Sequence, residues 1–599
     1  MRRRVRRAAS VSALLGSALL LTSPTTAAPP HAQAARPLHQ LFDNRGISSA
    51  RHPAAADFDG SGRSLSAGAL ARAGWRPGRE VTVAGARLRL PATRPGQPDN
   101  VRADGQRVAV SGRGGALAFL VAATGGPASG QGLVHYADGS HSRYRLSAPD
   151  WRSGPLATKS VALDSLHTPT GSGEGRPRLY TVTVPVERGK AVRAVTLPRE
   201  RAGAPALHVF ALSVREATTG WTGSWSAATA ARVEVGPWTD RTLRLVVHSS
   251  AGGSRVRVRL DNTFADGPVR ISGATIAVRS SGASATSGPV RLRFGGHSGT
   301  TLAAGAQVRS DPLGFEAPPD SDLLVSLRLA GTVRSLPVRT AAVQTSYVST
   351  DGDADHTRDR DGAAFEGSLD NWPLLTGVDV AGGPGSVVAL GDSTTVGAHT
   401  EKGADQRWTD ALSRRLRGQD AVPRYGVLNQ GLTANRLLAD RYPGDGLTPD
   451  TSGVRVANRL DRDLFAQTSP RVAVVYLGLN DLRWGAKAPE VIAELKEIAG
   501  RSRARGLPVL AATLTPCGGE RRCTPEVEAG RREVNSWLRS GGGGFDGVVD
   551  FDRAVADPGQ PGRLRPGFDS GDGLHPNAAG LSAMAGRVGL GELRRLAGD

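Results

Sequence analysis

Apolar residues first alternate with polar ones in short stretches, then change to unbroken apolar runs separated by helical repeats. Alternating stretches recur at 81–83, 106–110, 133–136, 144–146, 179–186, 191–197 and 207–214, punctuated by Gly and Pro. Short, evenly spaced strands of this kind predict a β-sandwich module over 38–216. Asp138-Gly139 lies between two of the stretches and predicts a hairpin turn. A second β-rich unit is expected over 219–350, with strands at 243–248, 255–260, 269–278, 290–294 and 323–329. Its RVRVRL stretch at 255–260 predicts a strand with one wet face.

Residues 351–371 are polar and predict a solvated linker. Asp351, Asp353 and Asp355 copy the start of a calcium loop. His356, however, stands where the sharp turn needs Gly, and Gly362 stands where a bidentate Glu is needed, so no metal is expected there.

From 372 onward strand and helix alternate. Compact apolar runs at 386–390, 425–428, 472–477, 507–514 and 547–551 predict five strands. Between them, Trp408, Leu412 and Leu416, then Val491, Leu495 and Ile498, recur at helical spacing. Thr524 and Pro525 open a further helix as cap and first residue. Continuous apolar strands joined by helices predict a parallel sheet covered on both faces. The expected architecture is therefore two all-β sandwich-like domains followed by an α/β/α domain spanning 372–599.

The first 34 residues add a destination. Five arginines between Arg2 and Arg7 precede a short apolar run at 11–21. Ala32-Gln33-Ala34 and Thr26-Ala27-Ala28 are small-residue cleavage patterns. The run falls short of the roughly 20 residues that span a bilayer. The segment predicts export, with a secreted, extracellular product and no transmembrane segment. Removing its arginines takes the formal charge from +20 to +15. Of the 75 basic residues only five are Lys, and they form no stripe with interleaved aromatics, so nucleic acid is not the expected partner. Cys517 and Cys523 are the only cysteines; an oxidising compartment permits them to pair on a short loop.

Four short segments carry candidate chemistry. Gly391-Asp392-Ser393 follows the first strand and opens a helix, where unpaired N–H groups favour negative charge. Asn429-Gln430-Gly431 follows the second, and Gly431 offers an N–H that no Cβ obstructs. Gly478-Leu479-Asn480-Asp481 follows the third, with an amide donor in Asn480. Asp572-Gly573-Leu574-His575-Pro576 precedes the last helix, with an acid in reach of an imidazole. A serine needs an adjacent base to act as nucleophile. Ser393, His575 and Asp572 supply nucleophile, base and orienting acid, and the Ser393 N–H, the Gly431 N–H and Asn480 an oxyanion pocket. Thr394, His399, Arg436 and Trp484 are candidate pocket-lining residues, while Asp392 and Asp481 read as structural.

These blocks, GDSTTVG, NQGLTANR, GLND and DGLHP, resemble those of the SGNH, or GDSL-type, hydrolases, in order and at matching spacing. The resemblance covers about 372–599. It implies a three-layer flavodoxin-like domain and ester hydrolysis through Ser393, Gly431, Asn480, His575 and Asp572, without metal or organic cofactor. The unit at 219–350, opening TGWTGSWSAA, resembles the β-domain that precedes this hydrolase in secreted actinobacterial members. The module at 38–216 is similar to accessory sandwiches of carbohydrate-active enzymes. The expected substrate is an ester: an acylated polysaccharide, or, as the alternative, a lipid. A non-catalytic carbohydrate-binding or adhesion protein is the reading from another class, and a monomer is expected. Ala434 departs from the family pattern, which often has Gly there.

Overall fold

The computed structural model describes residues 34–599 apart from Ala202, Asp351 and Asp353. The export segment therefore lies outside the described residues except for Ala34, as do two of the three acids of the calcium-like motif. Among the described residues no helix is long and apolar enough to cross a membrane.

In the first β-rich part, the Asp138-Gly139 turn joins Ala128–Tyr136 to His141–Ala148, with Gly139 at φ 86°, a backbone region that costs glycine little. The spine is Arg107–Thr124, expected only over 106–110. It pairs with Arg178–Pro185, Ala191–Thr196 and Ala206–Glu216. Residues 116–123 are buried on both faces, between two separate cores. A strand wetted on neither face has no reason to alternate, so its pattern hid it.

The second β-rich part sets Thr242–Ser249, Val269–Ser281 and Ser321–Leu329 against Trp221–Ser226, Gly253–Asp261 and Leu375–Ala381. Leu245, Val247, Val325 and Leu327 of one sheet share a core with Val256, Val258, Val378 and Val380 of the other. Arg255 and Arg257 of the RVRVRL strand lie on its wetter face. Arg259 is buried and donates to Thr376 O (2.9 Å) and Gln467 Oε1 (2.8 Å), because the C-terminal part covers that end.

Three expected boundaries are corrected. Leu375–Ala381, assigned to the α/β domain, is a central strand of this β-sheet, and the α/β elements begin at Ser386. Residues 351–371 are not a solvated linker. The buried Arg244 guanidinium donates to the carbonyls of His356, Asp359 and Asp361, and Gly367–Leu369 pairs with Ser346–Val348. The hairpin Glu80–Val83/Ala86–Arg89 belongs in sequence to the first module but pairs, through Thr82 and Gln307, with the sheet of the second. Backbone pairing with a partner distant in sequence leaves no local mark.

In the C-terminal part, β1 (Ser386–Gly391), β2 (Gly426–Gly431), β3 (Pro470–Tyr476), β4 (Val509–Ala512) and β5 (Gly547–Val549) form an all-parallel sheet in the order β2-β1-β3-β4-β5. Val388, Leu390, Ala473 and Val475 face a layer containing Val491, Leu495 and Ile498. Val387, Ala389, Val472 and Val474 face a layer containing Trp408, Leu412 and Leu416. This is the flavodoxin-like three-layer arrangement. Its topological switch point lies between β1 and β3, where a crevice opens beyond the carboxyl ends of the strands.

Candidate active site

Both sides of that crevice are lined by the segments singled out in the sequence. Asp392, next after β1, caps the helix Ser393–Val396: its Oδ1 accepts from Thr394 N at 3.0 Å. Ser393 thus occupies the first helical position, where its N–H has no intrahelical acceptor. Burial pushes the Asp392 carboxyl up to about 7, against the pull of the Thr394 N–H.

Ser393 Oγ lies 2.9 Å from His575 Nε2, and His575 Nδ1 lies 2.5 Å from Asp572 Oδ2. The turn that presents His575 is built by Asp572 itself. Its Oδ1 accepts from Leu574 N (2.9 Å), His575 N (2.8 Å) and Ser570 Oγ (3.2 Å). Burial raises the Asp572 pKa, but the His575 N–H, the His575 ring and the Leu574 N–H outweigh it and hold the carboxyl well below its usual range. Burial lowers the His575 pKa and the Asp572 carboxylate offsets this only in part, so the imidazole titrates below its ordinary value. A neutral imidazole with one nitrogen on a carboxylate and the other on a hydroxyl is arranged to accept the hydroxyl proton.

Asn480 begins just beyond β3, in the helix Leu479–Arg483. Its Oδ1 accepts from Arg483 Nη1 at 3.0 Å, which fixes the orientation of the amide. Nδ2 is then left toward Asp392 Oδ2 (3.4 Å) and Asn435 O (3.3 Å). Arg483 is itself held by Glu520 at 2.9 Å. Glu520 sits within the Cys517–Cys523 disulfide loop, donating to Cys517 O and accepting from Cys523 N. The same loop backs the His575 turn: a Cβ on Gly573 would lie 2.4 Å from the Gly519 carbonyl carbon. One stapled loop therefore supports both sides of the crevice. The Glu520–Arg483 link escaped the sequence reading, because ion pairs 37 residues apart leave no periodic signal.

Gly431 is not placed as expected. Its N–H donates to Asn429 Oδ1 at 3.0 Å, and a Cβ there would lie 2.7 Å from Val396 N. Glycine is required for close packing of the β2 end on the helix Ser393–Val396, and its N–H is already in use. Farther along the same loop Ala434 adopts φ 54°. Among the described residues its N–H has no acceptor, and the next residue, Asn435, supplies the carbonyl that meets Asn480. The loop is pinned by Arg459, a fully buried residue that the sequence did not single out. Its guanidinium donates to Gly391 O, Gln430 O and Asn435 Oδ1 at 3.0–3.2 Å, and it pairs with Asp463. Asp481 holds the far end of the loop through Leu437 N and Leu438 N.

Of the candidate lining residues, His399 stacks on His575 with ring centroids 4.9 Å apart and places Nε2 3.3 Å from Asp572 Oδ2. Trp484 is exposed, with the guanidinium groups of Arg436, Arg483 and Arg522 lying 4.5–5.7 Å from its ring centroid. Thr394 is buried. His399, Asp572 and His575 bring possible metal-ligand atoms together, as do His248, Asp322 and Asp405. In the first group the 2.5 Å contact is a hydrogen bond. In the second, Arg279 and Arg407 already neutralise the two carboxylates.

Residues 389–583 match the model of the GDSL-like Lipase/Acylhydrolase family, and residues 33–218 match that of the AziU2-like beta-sandwich domain. Solved structures similar to part of the chain include a GDSL-like lipase from Bacteroides thetaiotaomicron VPI-5482 (15% identity, 34% of this chain and 85% of that one, TM-score 0.25). A member of the lipolytic protein G-D-S-L family from Veillonella parvula DSM 2008 is 15% identical over 34% of this chain and 94% of that one, with TM-score 0.22. The acetyl xylan esterase AlAXEase is 17% identical over 34% of this chain and 96% of that one, with TM-score 0.26. No curated protein matches the chain.

Proposed function

We propose, from the premise that residues 389–583 are a domain of the GDSL-like lipase/acylhydrolase family, that the chain is a secreted serine esterase. The observation that carries this reading is the unbroken hydrogen-bond chain Asp572–His575–Ser393, assembled from loops 182 residues apart. His575 takes the Ser393 proton as Oγ attacks the ester carbonyl. It then returns that proton to the departing alcohol, leaving an acyl-enzyme. Water, activated by the same imidazole, releases the acid. Asp572 fixes the imidazole tautomer and stabilises the imidazolium. The developing oxyanion is met by the Ser393 N–H, Asn480 Nδ2 and the Ala434 N–H, the last standing in for the engaged Gly431 N–H.

The ester is proposed to be an acylated, most simply acetylated, polysaccharide. The exposed Trp484 beside Asn480 offers a sugar an aromatic face, and the β-sandwich at the start of the chain suits an accessory binding module. The basic head and apolar run of the first residues support export. The mature chain is expected to hydrolyse p-nitrophenyl acetate faster than long-chain esters, and Ser393→Ala to lower turnover by about 10⁴-fold or more. Retained turnover in Ser393→Ala would end the serine-esterase reading, and a preference for long acyl chains would replace the polysaccharide with a lipid.

A further inference from the structure

A second polar region lies away from Ser393, where the three parts of the chain meet around a cavity of about 880 Å³. Six arginines line it. Arg113 and Arg215 come from the first β-rich part, as does Arg188, at the mouth. Arg309 comes from the second part, and Arg471 and Arg505 from the α/β part. Glu216 is the one acid among the described lining residues, and it is taken by Arg87 at 2.7 Å.

The protein supplies little counter-charge. Arg505 pairs with Asp461 at 3.2 Å, an acid that also lies 3.6 Å from Arg501, and Arg471 reaches Asp599 only at 3.8 Å. Arg188 and Arg113 donate to the neutral carbonyls of Arg505 and Gly189. Arg215 is 5% exposed, and among the described residues its guanidinium makes a single hydrogen bond, to Ala84 O at 3.4 Å. The Nε atoms of Arg309 and Arg505 are buried without a hydrogen-bond partner. Burial pushes the Arg215 and Arg309 pKa down, each to about 10, which still leaves both charged at neutral pH. Collecting uncompensated guanidinium groups in a shared cavity is costly unless an anion completes the set. The guanidinium fork matches carboxylate and phosphate oxygens two at a time, and the volume falls within the roughly 300–1,000 Å³ of small-molecule sites.

We propose that this cavity binds a small multivalent oxyanion, a ligand carrying two or more carboxylate or phosphate groups, gripped simultaneously by arginines of all three parts. Such a ligand ties the parts together and stabilises the fold by an amount that grows with the logarithm of its concentration relative to its Kd. The site is independent of the esterase reading.

The test is calorimetric titration of the full mature chain with pyrophosphate and, separately, with citrate, at fixed ionic strength in chloride. The expected result is saturable binding of one anion per chain, accompanied by a rise in the thermal unfolding midpoint. Tighter pyrophosphate points to a phosphorylated ligand, and tighter citrate to a polycarboxylate such as a uronate-bearing sugar. Arg309→Gln should weaken binding by about tenfold or more, the loss of a charge-assisted contact. Arg471→Gln, on a partly exposed wall where folding is not at risk, should do the same while keeping the p-nitrophenyl acetate rate. Ser393→Ala should bind as the unaltered chain does. Absence of saturable binding by both anions, or unchanged affinity in Arg471→Gln, would overturn the proposal.

Discussion

At the crevice of the parallel sheet Asp572 and Arg483 each meet an opposite charge or a hydrogen-bond partner, whereas at the three-part junction cations face one another. Asp572 receives the Ser570 hydroxyl, the backbone N–H groups of Leu574 and His575, and His575 Nδ1. Arg483 is held between Glu520 and Asn480. By contrast, Arg215 and Arg309 have no carboxylate at ion-pair distance among the described residues. The two regions differ in whether the protein brings the counter-charge. Where charge must develop and vanish during a reaction, donors and carboxylates are fixed in advance, and no reorganisation is needed at the moment of bond-making. Where the chain leaves a surplus of one sign, the compensating group has to come from outside.

The contrast can be broken most forcefully at Asp572. Asp572→Asn keeps the shape of the turn but removes the charge that fixes the His575 tautomer, and kcat for p-nitrophenyl acetate is expected to fall by about 10⁴-fold. Next in size is Asn480→Ala, which deletes an oriented donor and should lower kcat by about 100- to 1000-fold with little change in KM. A loss confined to KM would place Asn480 in ground-state binding instead. The junction should respond in the opposite sense. Arg309→Met removes an uncompensated buried charge, and in chloride buffer free of multivalent anions it should stabilise the chain by about 1 kcal/mol, seen as a higher urea midpoint. Destabilisation there would mean that the protein already balances the charge. The smallest effect is on pH dependence. Catalysis needs the neutral imidazole, and burial lowers the His575 pKa, so activity is lost only as pH falls through a value below 6.5. An acidic limb of kcat/KM at or above that pH would show that the Asp572 carboxylate outweighs burial.

Much of this was legible in the residue order. Five apolar runs marked the five parallel strands, Asp138-Gly139 marked its hairpin, and the turns after the first and third strands held Ser393 and Asn480 where the crevice forms. Gly431 was misread for a physical reason: a glycine at a strand end serves equally to free an N–H or to admit a neighbouring helix, and only the 2.7 Å approach of Val396 N distinguishes the two. The strand Leu375–Ala381 was assigned to the wrong part because its own alternation does not say which sheet receives it.

The local chain thus determined which segments are strands, which are helices, and which turns carry Ser393, His575 and Asp572, since periodicity and turn chemistry act over a few residues. Tertiary structure alone decided that Glu520 steadies Asn480 through Arg483, that Arg459 pins Gly391, Gln430 and Asn435 together, and that six arginines scattered from 113 to 505 share one cavity. Those are consequences of distance in space, and charge and hydrogen bonding act through space without regard to position along the chain.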